Sequence, residues 1–422
     1  MDFETRYTEV QEKFRQEVRV WLEENIPEAM KKGVRVDPNN QEVDINLDGT
    51  LGLTDEQYRF WRDKHQELAK KKWLHPTYPE QYGGGGLSGD HETILEEEFM
   101  KAQAPRSGGA SFLLPALLVW ATEEQKQKFL RPLLMAEKVA IQAFTEPNAG
   151  SDLASLQSRA VRDGDDWIIS GQKVFIGNPP DGDWLYGPII TDPEAPRHRN
   201  LGFFLIPVKT SGIEFRAQHL LGGASHQHFL FMDNVSVPGD HLIGGDHQGW
   251  QVTNTSLEQE HGGRGQAFPR DEAMDNLLTY VRETQREGSS LGKNPVVQQK
   301  TMDSYIASNT NTLFAKRNFW MYQARQEMSY HGSQATMWSK DFGVHNADRA
   351  RSVMKMTALL GIREPGVAFG GQMEMHQRGS LIWVHPGGTL DVQKVIVARR
   401  IGISRTKERA APTPATATQH GS

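Results

Sequence analysis

The segment Gln142–Leu153 combines a hydroxyl side chain with a turn of small residues. The Thr145 hydroxyl can donate a hydrogen bond to the edge of a polar ring, and the turn at Gly150 and Ser151 presents backbone N–H groups of the kind that hold phosphate oxygens. Further along the chain, the Phe175 ring can lie against a planar heterocycle. A donor, a phosphate-binding turn and a stacking ring together indicate a flavin site.

These residues also have a plainer interpretation. Pro147–Asp152 could be an ordinary β-turn cluster and Phe175 an ordinary core residue, since short motifs often match by chance. The choice between the two depends on what accompanies the motif elsewhere in the chain.

Composition narrows the class of protein that could carry such a site. The 422 residues are enough for roughly two to four domains, and we expect three. A formal net charge of −6 without a long block of one sign argues against nucleic acid or a membrane surface as the main partner. No window approaches the roughly 20 apolar residues of a membrane span. The absence of cysteine excludes disulfides and thiolate metal sites and fits a cytoplasmic protein.

Residues 1–138 are predicted to form an N-terminal α-helical domain. It begins with an amphipathic helix over Met1–Glu24, whose apolar residues recur at helical spacing and which is unlike a secretory signal. The polar segment Lys31–Leu53 is predicted to be a surface loop. Further helices are predicted at Asp55–Lys72, His91–Ala102 and Glu123–Leu134.

Residues 139–248 are predicted to form a β domain. Short β-type runs alternate here with turn-forming clusters such as Asp163–Asp165. The predicted strands are Val139–Phe144, Trp167–Ser170, Leu185–Thr191, Gly202–Val208, Gly212–Arg216 and His228–Met232.

Residues 249–405 are predicted to be helical again, because 3.6-residue spacing of apolar side chains returns there. Breaks are predicted at Gly288–Pro295 and around Gly370–Gly388. Residues 406–422, dominated by Ala, Thr and Pro, have too little apolar surface to order themselves and are predicted to be a disordered tail.

Several segments resemble the signatures of one enzyme family. Thr145–Asp152 is similar to the TEPxAGSD signature of acyl-CoA dehydrogenases. Gly171–Asn178 resembles the family's NGxKxWITN strand, Phe231–Pro238 follows it in the family's order, and Gly387–Arg400 looks like its GTxxIQ segment. Because these matches occur together and in order, they favour the flavin site over a chance turn.

The resemblance implies an α+β fold with an N-terminal α-helical domain, a middle β-barrel or sandwich domain and a C-terminal four-helix bundle. It also implies FAD as cofactor, an acyl-CoA thioester as substrate, a 2,3-enoyl-CoA product and an electron-transferring flavoprotein as acceptor. A homotetramer or dimer built through the bundle is expected. The implied FAD contacts are Phe144, Thr145, Gly150, Ser151, Phe175, Gly177, Gln298, Thr389 and Asp391.

The implied reaction needs a carboxylate that removes the α-proton, with its pKa raised by a desolvated pocket. Many family members carry this glutamate immediately before the GT pair, where this chain has Gly387. A second family position matches Glu260. Glu258 lies about 200° away around the helix, so the two cannot both face one flavin. Glu260 is therefore the predicted base, and the Gly387 N–H is the implied donor to the thioester carbonyl.

Other positions depart from the family pattern. Gly177 stands where a threonine hydroxyl often reaches flavin N5, and His261 replaces an arginine. No arginine opens the segment around Gln298, which in the family reaches the FAD of a neighbouring subunit. These departures fit drift within a divergent branch, or a heteromer whose partner subunit completes the flavin site.

Two glycine pairs bear on the size of the acyl group. Gly262 and Gly263 lie inside a predicted helix, where each costs about 1 kcal/mol relative to alanine. They indicate either close helix packing or a kink, or space for a branched, cyclic or polycyclic acyl group. In the second case Gly387 and Gly388 would widen the pocket from the opposite side.

Two other functions stay open at this point. One is a flavin-dependent monooxygenase or oxidase of the same fold, and the other is an FAD-deficient subunit of a heteromeric dehydrogenase. Glu260 favours the dehydrogenase over the monooxygenase, which does not require an α-proton base. The spacing of the histidines does not indicate a metal site.

Overall fold

The computed structural model describes residues 7–31, 55–106, 112–177, 182–221, 223–261, 265–266, 268–324, 326–361 and 364–404, without side-chain detail at 55, 223–226 and 259–261. Residues 32–53 of the predicted loop, the predicted tail at 406–422, and Gly262 and Gly263 lie outside the described residues.

The N-terminal helices pack around a core that is rich in tryptophan. Buried side chains of three helices and the loops between them form this core, including Trp21, Trp61, Trp73 and Phe99. The helices are α1 (Glu9–Asn25), α2 (Asp55–Lys70), α3 (Gly89–Lys101), α4 (Leu113–Trp120), α5 (Glu123–Gln125) and, after a π-helical turn at Lys126–Leu130, α6 (Arg131–Leu134). Helix α4 was not predicted, because its sequence is apolar throughout and shows no 3.6-residue period.

In the described residues, eight strands form one mixed sheet in the order β6-β7-β3-β2-β4-β5-β8, with β1 parallel to β4. Trp167, Ile169, Phe204 and Val235 belong to the core on one side of it, and Phe203 and Leu205 pack with α4 on the other. Strand β2 was not predicted, because four of its five side chains are exposed and three are charged. The strands are β1 (Ala140–Gln142), β2 (Arg159–Asp163), β3 (Asp166–Gly177), β4 (Trp184–Ile190), β5 (Leu201–Pro207), β6 (Ile213–Leu220), β7 (Gly223–Val237) and β8 (Leu242–Ile243).

Helix α10 is the centre of the C-terminal bundle and packs against α9, α11 and α12. The predicted break at Gly288–Pro295 is confirmed: a short hairpin of β9 (Gln285–Arg286) and β10 (Ser289–Ser290) lies there, and Asn294 caps α9. The break predicted around Gly370–Gly388 is wrong for residues 372–383, because helix α11 forms there. The helices are α7 (Gly249–His261), α8 (Glu272–Glu283), α9 (Pro295–Gln323), α10 (His331–Met354), α11 (Gln372–Trp383) and α12 (Leu390–Arg400). None of the described helices is long and apolar enough to cross a lipid bilayer.

Arg15 holds α1 against α3 through a buried charge network. Its guanidinium lies 2.6 Å from both Glu97 and Glu98, and all three side chains are nearly inaccessible to solvent. Burial raises the pKa of Glu98, but the hydrogen bonds from Arg19, Arg15 and Lys101 outweigh it and lower that pKa to about 2. The stabilisation by this carboxylate is therefore present above its ordinary pKa and is lost as the pH falls toward 2.

We expect Arg15→Met to lower the free energy of unfolding by about 3–5 kcal/mol, because Glu97 would stay buried without its cation beside Glu98, which would keep only Arg19 and Lys101. Denaturant titration followed by tryptophan fluorescence measures this loss. The control is Arg216→Met, which removes a pair with Glu214 whose side chains are 62% and 56% exposed and should cost under about 1 kcal/mol. Equal losses in the two variants would contradict the importance of the network.

Candidate active site

Glu146 and Lys173 form a buried ion pair beneath the loop that carries the first motif. The carboxylate lies 2.9 Å from the Lys173 ammonium, and the two side chains are 4% and 1% exposed. Glu146 also accepts hydrogen bonds from the backbone N–H groups of Gln157 at 2.5 Å and Ser158 at 3.1 Å. The carboxylate therefore connects the motif loop to β3 and to the segment that leads into β2.

Lys173 extends this attachment to the start of the motif and to β4. Its ammonium donates to the carbonyls of Phe144 at 3.2 Å and Pro188 at 3.0 Å. Next to it, the Val174 N–H donates to the Thr145 carbonyl at 2.9 Å. Strand β3 thus fixes the backbone of the two motif residues that precede Glu146.

Burial opposes charge on both members of the pair. It lowers the pKa of the Lys173 ammonium, although Glu146 favours the charged form. It raises the pKa of Glu146, but Lys173 and the hydrogen bonds from Ser158 and Gln157 outweigh it, so that pKa lies below its ordinary value. Removing either partner would leave the other charge buried and uncompensated.

The motif forms a tight turn at Pro147 and Asn148, because Glu146 and Ala149 exchange backbone hydrogen bonds of 3.0 and 3.1 Å. The motif therefore contains the β-turn that the plainer interpretation predicted. The residue after the turn, Gly150, also has open space beside it, since an added Cβ would meet nothing nearer than the Thr145 side chain at 3.8 Å. A ligand can approach the backbone closely there.

A cavity of about 1470 Å³ brings the three parts of the chain together. Pockets for one drug-sized ligand span roughly 300–1,000 Å³, so this cavity has room for a nucleotide cofactor beside a substrate. The predicted site residues that line it are Phe144, Thr145, Gly150, Ser151, Phe175, Gly177, Gly387 and Thr389.

The other predicted residues are placed differently. Gln298 is exposed and donates to the Gly292 carbonyl at 2.7 Å, away from the cavity. The Asp391 side chain is 90% exposed and lies 3.5 Å from Lys394. Glu260 belongs to α7, but its side chain lies outside the described residues.

Phe175 is held in an unusual backbone conformation at the cavity wall. Its φ is 60°, and the pairing of β3 with β7 shifts register between Lys173 and Ile176. Such a bulge redirects a side chain, and a strained non-glycine residue is typical of functional sites. The ring is 51% exposed and lines the cavity, so its face is available to a planar ligand.

The groups around the cavity fit a flavin nucleotide. Helix α12 begins at this wall with Thr389 as its N-cap, and a helix N-terminus attracts phosphate oxygens. Gly150 and Ser151 add exposed backbone, and Phe175 adds a stacking ring. Gly177 offers no hydroxyl, and the nearest atom to an added Cβ there is Gln227 Nε2 at 3.7 Å.

Gly387 and Gly388 form a turn that two buried side chains hold in place. Lys340, which is 1% exposed, donates to the carbonyls of Trp383 at 2.8 Å and Pro386 at 2.6 Å. Gln393 donates to the Gly387 carbonyl at 2.7 Å. The turn that carries the proposed carbonyl donor is therefore fixed from both ends.

The backbone explains why both positions are glycine. Gly387 has φ 62° and Gly388 has φ 79°, in the left-handed region where a side chain is strained. At Gly388 an added Cβ would also lie 2.8 Å from the Gln393 amide. Turn geometry is thus a sufficient reason for the pair, apart from any effect on pocket width.

Several cavity residues were not predicted. Trp250, Asn254 and Leu257 line the cavity from one face of α7, and His198 stacks on Trp250 with ring centroids 4.5 Å apart. The spacing of the three α7 residues was a signal for a shared helix face, whereas His198 comes from a loop without a motif. Among the described residues, no group of three His, Asp or Glu side chains is placed to hold a metal ion.

Comparisons with known proteins agree with this architecture. Models of the acyl-CoA dehydrogenase N-terminal, middle and C-terminal domains match residues 8–137, 142–235 and 247–402. The chain is 30% identical over 280 residues to acyl-CoA dehydrogenase IpdE1 of Mycobacterium tuberculosis, covering 65% of this chain and 69% of that one. It is 25% identical over 407 residues to acyl-CoA dehydrogenase FadE26 of the same organism, covering 93% and 96%. The chain belongs to the acyl-CoA dehydrogenase family.

Solved structures share the fold. A structure described as the Tcur3481-Tcur3483 steroid ACAD superposes with a TM-score of 0.75 at 22% identity, covering 97% of this chain and 100% of that one. The ChsE4-ChsE5 complex from Mycobacterium tuberculosis superposes with a TM-score of 0.71 at 22% identity, covering 96% and 100%. The protein is an acyl-CoA dehydrogenase, an oxidoreductase that introduces a double bond beside a thioester.

We expect Glu146→Gln to cost about 3–5 kcal/mol of stability and to weaken flavin binding, because Lys173 would stay buried without a counter-charge. Denaturant titration and flavin absorbance after gel filtration measure the two effects. The control is Lys138→Gln, which breaks a pair with Asp183 whose side chains are 47% and 32% exposed, and should cost under about 1 kcal/mol. A Glu146→Gln protein with unchanged stability and flavin content would contradict the proposed role of the pair.

We expect Lys340→Met to lower kcat roughly 100-fold, because misplacing a catalytic group by about 1 Å has an effect of that size. Flavin content and KM should change much less. Lys340→Gln, which keeps one donor, should restore part of kcat, and Lys394→Met on the exposed side of α12 is the control. A proportional loss of flavin in Lys340→Met would indicate a general structural role.

Proposed function

We propose that this acyl-CoA dehydrogenase binds FAD in the cavity, uses Glu260 as its base and acts on a bulky acyl-CoA. The main observation in support is that residues from separate motifs line one cavity together with residues of α7. These motif residues are Thr145, Gly150, Phe175 and Gly387. FAD, when bound, accepts a hydride from the β-carbon of the substrate. We further propose an electron-transferring flavoprotein as the acceptor.

Family position and exposure support Glu260 over Glu258. Glu260 lies seven residues after Thr253 and four after Ser256, which are buried but do not line the cavity, and three residues after Leu257, which does. Glu258 is exposed. The reaction needs a desolvated carboxylate, which argues against the exposed Glu258.

The Gly387 N–H is the proposed hydrogen-bond donor to the thioester carbonyl. Removal of the α-proton moves negative charge onto that oxygen, and a fixed backbone donor stabilises the charge without reorganisation. Lys340 and Gln393 hold the turn that presents it. The loss of the usual glutamate side chain at this position leaves the donor in place.

The extent of the cavity toward α2 supports a bulky acyl group. The cavity, in which FAD is also proposed to bind, continues past the motif residues to Trp61 and His65 of α2. One structure with this fold is described as a steroid ACAD. We therefore propose a polycyclic acyl group as the substrate class, which agrees with the extra room that Gly262 and Gly263 would give.

A second candidate is an FAD-deficient subunit of a heteromeric dehydrogenase. Gly177 provides no hydroxyl, Gln298 lies away from the cavity, and two structures of this fold are described with two named components. On α9, Met302, Ile306 and Leu313 expose apolar side chains at helical spacing, as expected where another subunit packs. The division into residues 1–138, 139–248 and 249–405 applies to either candidate.

We expect Glu260→Gln to slow the anaerobic bleaching of bound flavin by an acyl-CoA by roughly 10²- to 10⁴-fold, the usual contribution of a general base. FAD should stay bound, and Glu258→Gln should bleach at the wild-type rate. Stopped-flow absorbance with a panel of acyl-CoA thioesters measures the rates. Wild-type rates in Glu260→Gln would contradict the base, and efficient turnover of straight-chain thioesters alone would contradict the bulky substrate.

A further inference from the structure

A polar recess adjoins the large cavity between α2 and the start of the sheet. It has a volume of about 290 Å³ and shares Tyr58, Arg62, Ala136 and Val139 with the cavity wall. Lys209, from the loop after β5, completes its positive side. The recess is thus a polar extension of an otherwise largely apolar space.

None of the residues that line the recess belongs to the flavin motifs, although the recess shares its wall with the same cavity. Val139 of the recess precedes Thr145 of the first motif by six residues, so the two lie within roughly 20 Å of each other. A substrate bound in the cavity can therefore place a part other than its thioester in the recess.

Arg62 and Lys209 carry charges that nothing in the described part of the chain neutralises. Neither side chain has a hydrogen bond, an ion pair or a ring contact there. Both residues are exposed, so their charges are maintained without a buried counter-ion. An arginine fork beside a lysine is suited to a carboxylate or a phosphate.

The acidic groups of the recess do not cancel this positive charge. Asp183 is occupied, since one oxygen pairs with Lys138 at 2.7 Å and the other accepts the Val139 N–H at 2.9 Å. Glu137 is the remaining carboxylate and is exposed. Two unpaired cations thus face one free carboxylate.

We propose that Arg62 and Lys209 form a subsite for an anionic group of the substrate, at the end remote from the reacting carbons. This inference rests on the proposed function and specifies its substrate. The anion has two possible sources, a carboxylate at the far end of the acyl group or a phosphate of coenzyme A. We expect the acyl carboxylate, and the experiment separates it from the phosphate.

The test compares pairs of thioesters on the flavin-loaded enzyme. ω-Carboxyacyl-CoA compounds of increasing length are paired with methyl-terminated acyl-CoA compounds of the same length, and each CoA thioester is paired with its 3′-dephospho form. Calorimetric affinity, measured without an electron acceptor, is recorded beside kcat/KM. The affinity reports on the subsite even if dehydrogenation, and hence the proposed function, fails.

We expect the wild type to prefer the carboxylated partner of a pair by about 10- to 100-fold, the size of a charge-assisted hydrogen bond. Arg62→Gln and Lys209→Gln should each reduce this preference while the neutral thioesters bind unchanged. Glu137→Gln should increase it. Arg59→Gln, an exposed arginine of α2 that does not line the recess, is the matched control.

A loss in Arg62→Gln that instead follows the 3′-phosphate would support the subsite and assign it to coenzyme A. Equal affinities for charged and neutral partners in the wild type would overturn the proposal. A preference for the carboxylated thioester that persists in the Arg62→Gln, Lys209→Gln double variant would also overturn it, provided that the midpoint of thermal unfolding is unchanged.

Discussion

The buried pair of Glu146 and Lys173 is the contact on which the candidate site depends. Taking two charges out of water is costly, and it is tolerated here because every remaining hydrogen-bonding group of the pair is used. The same two side chains attach the motif loop, β3, β4 and the entry to β2 to one point. Phe175, two residues beyond Lys173, takes its position on the cavity wall from this attachment.

Much of the fold could be predicted from local sequence, because most elements show their own period or a turn signal. The failures have local causes: α4 is apolar throughout, β2 is almost entirely exposed, and α11 lies between left-handed glycines that indicate a break. The motif residues at the cavity could be predicted because the residues of each motif are contiguous in sequence. Glu260 stays a prediction, since its side chain lies outside the described residues.

The support of the site could not be predicted in the same way. Lys340 contacts Pro386 across 46 positions of sequence, and Lys173 contacts Phe144 across 29, so no local pattern links the partners. A buried lysine also looks like any surface lysine in a sequence. The recess at Arg62 and Lys209 is a further case, because it combines α2 with a loop of the sheet that only the fold brings together.

The central claim is that this chain forms a complete FAD site around the Glu146–Lys173 pair. The most direct measurement is the flavin content of the chain expressed without any partner subunit, incubated with FAD and separated by gel filtration. The account predicts a flavin absorbance spectrum with FAD and protein in equimolar amounts. A colourless protein that acquires flavin only when a second acyl-CoA dehydrogenase subunit is present would contradict it.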